Sequence, residues 1–201
     1  MRRLLPALLG FPLLIFTIVL YFNWSKNTFA AAANHIVISE IQIAGANGTD
    51  DEFVELYNPT DSSIDLTGWR LTRRTSSGTQ STLVSSMTGI IPAKGYFLVG
   101  HSASYSGSVT PDILYSAPSQ NIASNNSVVI YSDAGINQVD LVGMGSATAS
   151  ETATIDNPLS SGSVERKANS ASDATSMGTG GTDEFAGNGE DTDNNSADFV
   201  G

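Results

Sequence analysis

The chain has 201 residues, enough for one ordinary domain and a little more. It carries no cysteine and two histidines, His35 and His101, so disulfides, thiol nucleophiles and a zinc site of the usual His/Cys type are excluded. The formal net charge is −11, and beyond residue 33 six bases face 20 acids, a balance of −14, which repels a phosphate backbone and argues against nucleic-acid binding.

The first element in chain order is an export segment. Arg2 and Arg3 precede an uncharged run from Leu4 to Phe22, close to the ~20 residues that span a bilayer. Ala30-Ala31-Ala32-Ala33 then offers an Ala-x-Ala cleavage pattern before Asn34. Residues 1–33 therefore read as a signal peptide or an N-terminal membrane anchor. The length of the apolar run suits an anchor through residues 4–22, with its N-terminus inside. The Ala run abutting the first strand favours cutting. Either outcome places residues 34–201 outside the cytoplasm, secreted or anchored.

After Ala33 the period changes from helical to two. Val37, Ile41 and Ile43 alternate with Glu40 and Gln42, and Phe53, Glu55 and Tyr57 alternate with Val54 and Leu56. Ile64 and Leu66 lead into Trp69 and Leu71. Tyr96–Val99, Val128–Tyr131 and Val139–Val142 are short β-branched and aromatic runs. Turn chemistry separates them at Asn47-Gly48, Asn58-Pro59-Thr60-Asp61, Ser77-Gly78, Pro92-Ala93-Lys94-Gly95 and Asp133-Ala134-Gly135. Short strands at this spacing predict an all-β sandwich or barrel with no substantial helix after residue 34. The Pro92–Gly95 turn is expected to deliver Tyr96 and Leu98 to the core, and Gly68 to bend the chain so that Trp69 enters it. Residues 145–162 and 168–190 are rich in Ser, Thr, Ala, Gly, Asn and Asp and read as low-complexity loops. A short strand, Ser163-Val164-Glu165-Arg166-Lys167, lies between them, and an acidic tail runs from Asp191 to Val200.

Four of these pieces together resemble the lamin tail domain, particularly its bacterial secreted or membrane-anchored form. They are Glu52-Phe53-Val54-Glu55-Leu56-Tyr57-Asn58, Asp65-Leu66-Thr67-Gly68-Trp69-Arg70-Leu71, Ile91-Pro92-Ala93-Lys94-Gly95-Tyr96-Phe97-Leu98-Val99, and Ser163-Val164-Glu165-Arg166 paired with the Asp-rich terminus. The resemblance implies an immunoglobulin-like antiparallel β-sandwich over residues 34–201. It marks Glu55, Asn58, Asp65, Leu66, Gly68, Trp69, Gly95 and Tyr96 as structural motif positions. It implies a non-enzymatic module for binding or structure at the cell surface. The partner is an unidentified protein or envelope ligand. The alternatives are an accessory to an extracellular hydrolase, a nuclease or a phosphatase, and calcium-dependent surface binding.

The residues themselves offer little chemistry. Gly100-His101-Ser102-Ala103-Ser104 imitates a nucleophile elbow without the following helix or a second available histidine, and reads as a loop. Asp50-Asp51-Glu52 reads as a solvated strand entrance. Asp191, Asp193, Asn195 and Asp198 supply the oxygen ligands of a weak calcium candidate, but Ser196 replaces the glycine of an EF-hand loop. No other cofactor is expected. Arg70, Arg73 and Arg74 form the one basic cluster of residues 34–201, with Arg70 and Arg74 on one strand face and Arg73 on the other. Pairing with the surplus acids is the expected use of this cluster.

Overall fold

The alternating segments pair into two facing sheets. The computed structural model describes residues 32–116, 121–133 and 136–201. The expected export helix and its cleavage point lie outside the described residues or at their edge. Among the described residues no helix is long and apolar enough to cross a membrane.

The strands are β1 (Val37–Gln42), β2 (Phe53–Tyr57), β3 (Ile64–Asp65), β4 (Arg70–Arg74), β5 (Gln80–Val84), β6 (Ile90–Ile91), β7 (Tyr96–His101), β8 (Ile113–Tyr115), β9 (Ser127–Ser132), β10 (Asn137–Gly143), β11 (Ser163–Arg166) and β12 (Phe199–Val200). Two four-residue helices, α1 (Ala174–Met177) and α2 (Asn195–Asp198), interrupt the acidic C-terminal third, where the pattern predicts none. The larger sheet has the order β12-β11-β1-β2-β7-β8, the smaller β10-β9-β4-β5, and β3 pairs with β6 as a short clasp. Pairing is antiparallel except at β7–β8, which is parallel, so the expected wholly antiparallel sandwich is corrected at that edge. A parallel neighbour needs a crossover connection, and residues 102–112 supply it.

Bulges decide which residues meet. The β1–β2 register shifts between Ile38 and Glu40. One extra residue reverses the parity of everything before it, so Ile36 and Ile38 join Ile41 and Ile43 in the core in place of Val37. In β7 the core takes Phe97 and Val99; Tyr96 is 43% exposed and Leu98 lies outside the core cluster. That corrects the expected delivery of Tyr96, whereas Leu98 is buried as expected. A second shift, between Gln138 and Asp140, accompanies the inward turn of the Asp140 carboxylate, which reaches across to the larger sheet.

The motif residues fix loops. Asp65 accepts from the backbone N–H and the hydroxyl of Thr67, making the Asx turn that leads to Gly68 at φ +81, a conformation natural for glycine. Leu66 is fully buried, whereas Trp69 is only partly buried and packs against the rim of the core. Buried Asn58 donates to the carbonyls of Ser62, Ile91 and Pro92, holding the turn after β2 against β6. Gly95 acts through its backbone, its carbonyl receiving the Asn58 N–H. One continuous apolar cluster runs from Ile36 to Phe199 and includes residues of both sheets. The two sheets of the described residues thus share one core.

Candidate functional site

The acidic terminus meets its cation inside the protein. Arg166, at the end of β11, is fully buried. Its Nε donates to the Ile38 carbonyl at 2.8 Å, one Nη to the Glu190 carbonyl at 2.9 Å and the other to Asp140 at 2.8 Å. Asp191 lies 3.4 Å and Asp198 4.0 Å from the same guanidinium, and the Phe199 ring sits 4.6 Å beneath it. Asp140 belongs to the smaller sheet and Arg166 to the larger, so this contact ties the layers together. The expected pairing of Ser163–Arg166 with the terminus is present, as Glu165 faces Val200 and Arg166 faces Phe199.

This arrangement occupies the oxygens of the calcium candidates. Asp198 accepts from the Thr192 N–H and hydroxyl and from the Asn194 N–H. The Asn195 side-chain oxygen accepts from the N–H groups of Gly143 and Glu151, while its amide donates to Leu141 and Glu151. Asp191 pairs with His35 at 3.3 Å as well as with Arg166. Asp193 takes φ +55, and its N–H reaches the Asp191 carboxylate at 3.4 Å. Among the described residues no group of three or more His, Asp or Glu side chains is placed to hold a metal. Charge is still in surplus around Arg166. Burial, then the nearby Asp140 and Asp191 charges, pushes Glu151 up to about 8.

The Asp50-Asp51-Glu52 entrance is not a solvated loop. Asp51 is 1% exposed and accepts from Asn47 N–H and from Ser106 N–H and hydroxyl, pinning the β7–β8 connection to the β1–β2 hairpin. Fully buried Glu52 accepts from the Tyr115 hydroxyl and from the Ile122 N–H, and burial pushes it up to about 7. Asp50 accepts from the Asn121 amide. Sequence alone carries no sign of this, because every partner except Asn47 lies more than 50 residues away. His101 is buried against Tyr115, its Nδ1 accepting from Ala103 N–H. Ser102 is exposed and makes no hydrogen bond with a histidine among the described residues.

The feature with binding geometry is the outer face of the larger sheet. Glu40 stands directly opposite Glu165 on one side and Glu55 on the other, a row of three carboxylates across β11, β1 and β2. Like charges in direct register destabilise a sheet. Burial is the main cause that raises Glu40 above the usual carboxylate range and Glu55 to about 7, and neighbouring glutamates add to it. Neutral donors touch the row: Ser163 on Glu40, Ser39 on Glu55 at 2.9 Å, and Asn188 on Glu165 at 2.9 Å. Among the described residues no lysine or arginine pairs with it. Tyr96, stacked on Tyr57 and donating to Asn188 at 2.7 Å, walls one side. Phe185, 91% exposed, stands beside it, and these groups line a cleft of about 370 Å³.

The comparisons agree with this architecture. The profile of the Lamin Tail Domain family matches residues 30–192. The chain belongs to the lamin tail domain family. Comparison with curated proteins finds no match. The family is immunoglobulin-like and non-catalytic. The family match ends at Thr192, yet α2 and β12 beyond it are integral to this lamin tail domain, since Asp198 and Phe199 surround Arg166.

Proposed function

We propose that this lamin tail domain is an exported, non-catalytic binding module, released or anchored outside the cytoplasm by residues 1–33, whose acidic sheet face receives a cationic partner. The observation that carries the reading is the Glu165–Glu40–Glu55 row, unpaired by any base among the described residues and placed beside exposed Phe185. Carboxylates in mutual repulsion gain from a cation, and an aromatic face adds cation–π attraction to an ammonium or guanidinium group. A balance of −14 over the domain steers cations toward it.

Titration of residues 32–201 with an oligolysine peptide tests the binding. Salt-sensitive binding that is lost in Glu40→Gln/Glu55→Gln/Glu165→Gln is expected. Equal binding by the variant would place the contact elsewhere and refute this site. Mass spectrometry of the protein recovered from outside the cytoplasm tests the location. A species beginning near Asn34 marks cleavage and a full-length membrane-bound one marks the anchor. Recovery from the cytoplasm alone would refute export.

A further inference from the structure

The opposite face of the sandwich has the opposite charge. Strands β10, β9, β4 and β5 contain a single acid, Asp140, and it is buried between the sheets on Arg166. The outward positions of β4 carry Arg70, Thr72 and Arg74. The Arg70 guanidinium lies 5.2 Å over the Tyr131 ring, and Arg74 donates to the Tyr131 hydroxyl at 2.6 Å and to Gln80 at 3.2 Å. Two guanidinium groups are thus gathered on one aromatic side chain.

Neither of them pairs with a carboxylate among the described residues, although acids outnumber bases by 14 beyond residue 33. The expected pairing with surplus acids does not occur at Arg70 and Arg74. Arg70 Nε and the hydroxyl of fully buried Thr72 also lack hydrogen-bond partners. A buried donor without a partner carries a desolvation cost; Nε itself is shut off from solvent, so an oxyanion would meet this guanidinium at its terminal nitrogens. Ala149 packs on Val129, Tyr131 and Leu141, and Thr72 in the middle of β4 is fully buried, so the cover on this face extends from β9–β10 onto the centre of β4. The β4–β5 part keeps exposed Gln80 at its edge.

Two faces of one chain therefore each lack what the other has. From these we infer that the occupant of the acidic face is a second copy of this chain, which presents Arg70 and Arg74 of its smaller sheet to the Glu165–Glu40–Glu55 row. The inference rests on the cation-binding reading of the acidic face and names the partner. The row spans two interstrand steps, roughly 10 Å. That is long enough to meet two guanidinium groups, one over the tyrosine ring and the other at its hydroxyl. The donor and acceptor surfaces are different patches on opposite sides of the molecule. The contact is therefore heterologous, and repeated copies extend as an open chain instead of closing as a two-fold dimer. The net negative charge of each copy opposes approach, but that long-range term is screened beyond about 8 Å at physiological ionic strength while contacting pairs are screened less. A weak, transient interface results.

Sedimentation of residues 32–201 at micromolar to millimolar concentration tests this. The average mass of the wild type is expected to rise with concentration at physiological salt and to return to the monomer in molar salt. Arg70→Gln/Arg74→Gln lacks the basic face and Glu40→Gln/Glu55→Gln/Glu165→Gln lacks the acidic one. Each alone is expected to remain a monomer, and an equal mixture to give a one-to-one dimer that grows no further. A wild type monomeric throughout, or variants that associate as the wild type does, would overturn the inference. The salt dependence of the wild type decides the matter even where a variant fails to fold. A monomeric wild type that still binds oligolysine through the three glutamates would sink self-association and leave the binding reading intact. Failure of oligolysine with intact variant-mixture dimers would restrict the face to its own copy.

Discussion

Replacing Arg166 by methionine should cost residues 32–201 about 3–5 kcal/mol at neutral pH, the range for removing one partner of a buried ion pair. Methionine keeps most of the side-chain length and fills irregular gaps, so the loss is chiefly polar. Three hydrogen bonds disappear, to Ile38, Glu190 and Asp140, each at 2.8–2.9 Å. Hydrogen bonds to charged groups contribute ~1.5–3 kcal/mol each but are not additive. More important, Asp140 and Asp198, both fully buried, are left without a cation. For a domain of this size ~1 kcal/mol corresponds to about 2–4 °C, so the midpoint should fall by about 6–20 °C. Urea unfolding followed by the fluorescence of Trp69, the one tryptophan of residues 32–201, measures the change. Adding Asp140→Asn to Arg166→Met should recover part of the loss, because it removes a stranded charge, whereas Asp140→Asn alone should destabilise. A loss below about 1 kcal/mol, or no recovery in the double variant, would refute the view that Arg166 is the internal counter-ion of the acidic terminus.

Stability should rise as pH falls from about 8 toward about 5. Glu52 and Glu55 are pushed up to about 7 and Glu151 to about 8, all first by burial. The folded state then holds more protons than the unfolded one across this window, so stability is lost as pH rises through the folded values; a thermal midpoint higher at pH 8 than at pH 5 would contradict this. The Glu40→Gln/Glu55→Gln pair should flatten part of that slope and raise the midpoint at pH 8, since it removes in-register repulsion, and an unaltered pH profile would count against the row. Trp69→Ala should cost about 2–3 kcal/mol, less than the ~3–5 of a fully enclosed aromatic, because the ring is only partly buried; an unchanged urea midpoint would show that it contributes no packing. Millimolar calcium should leave the thermal midpoint of residues 32–201 unchanged, since the Asp198 and Asn195 oxygens already accept protein donors, and a rise abolished by Asp191→Ala/Asp193→Ala would overturn that.

Several strands escape a reading by alternation for identifiable reasons. The β5 segment Gln80–Val84 is an edge strand with three polar residues, so its period-two signal is weak. The three-residue β8 is too short to show a period at all. The two loops of low apolar density are ordered by side-chain hydrogen bonds instead of by a core. Asn125 and Asn157 clasp the first, and Asp173 caps α1 in the second with Ser176 bonding back. The split of Arg70 and Arg74 from Arg73 is legible from strand parity alone, and Arg73 does reach Asn126 while the other two meet Tyr131.

Period-two alternation and turn residues were sufficient by themselves for an all-β sandwich or barrel, because strand pattern and turn chemistry are local properties of the chain, and the resemblance of four segments to the lamin tail domain narrowed this to an immunoglobulin-like sandwich. The charge relations are not local. A carboxylate becomes a sheet-to-sheet tie, a loop clamp or part of an exposed acidic row according to what lies across from it. Asp140, Asp51 and Glu40 find their neighbours 26, 55 and 123 residues away, on Arg166, Ser106 and Ser163. Bulges near Ser39 and Val139 set which of their flanking side chains turn inward, and a one-residue shift of register exchanges the two faces of a strand. Only the closed sandwich decides those distances, and with them which charges are neutralised inside and which remain on its two outer faces.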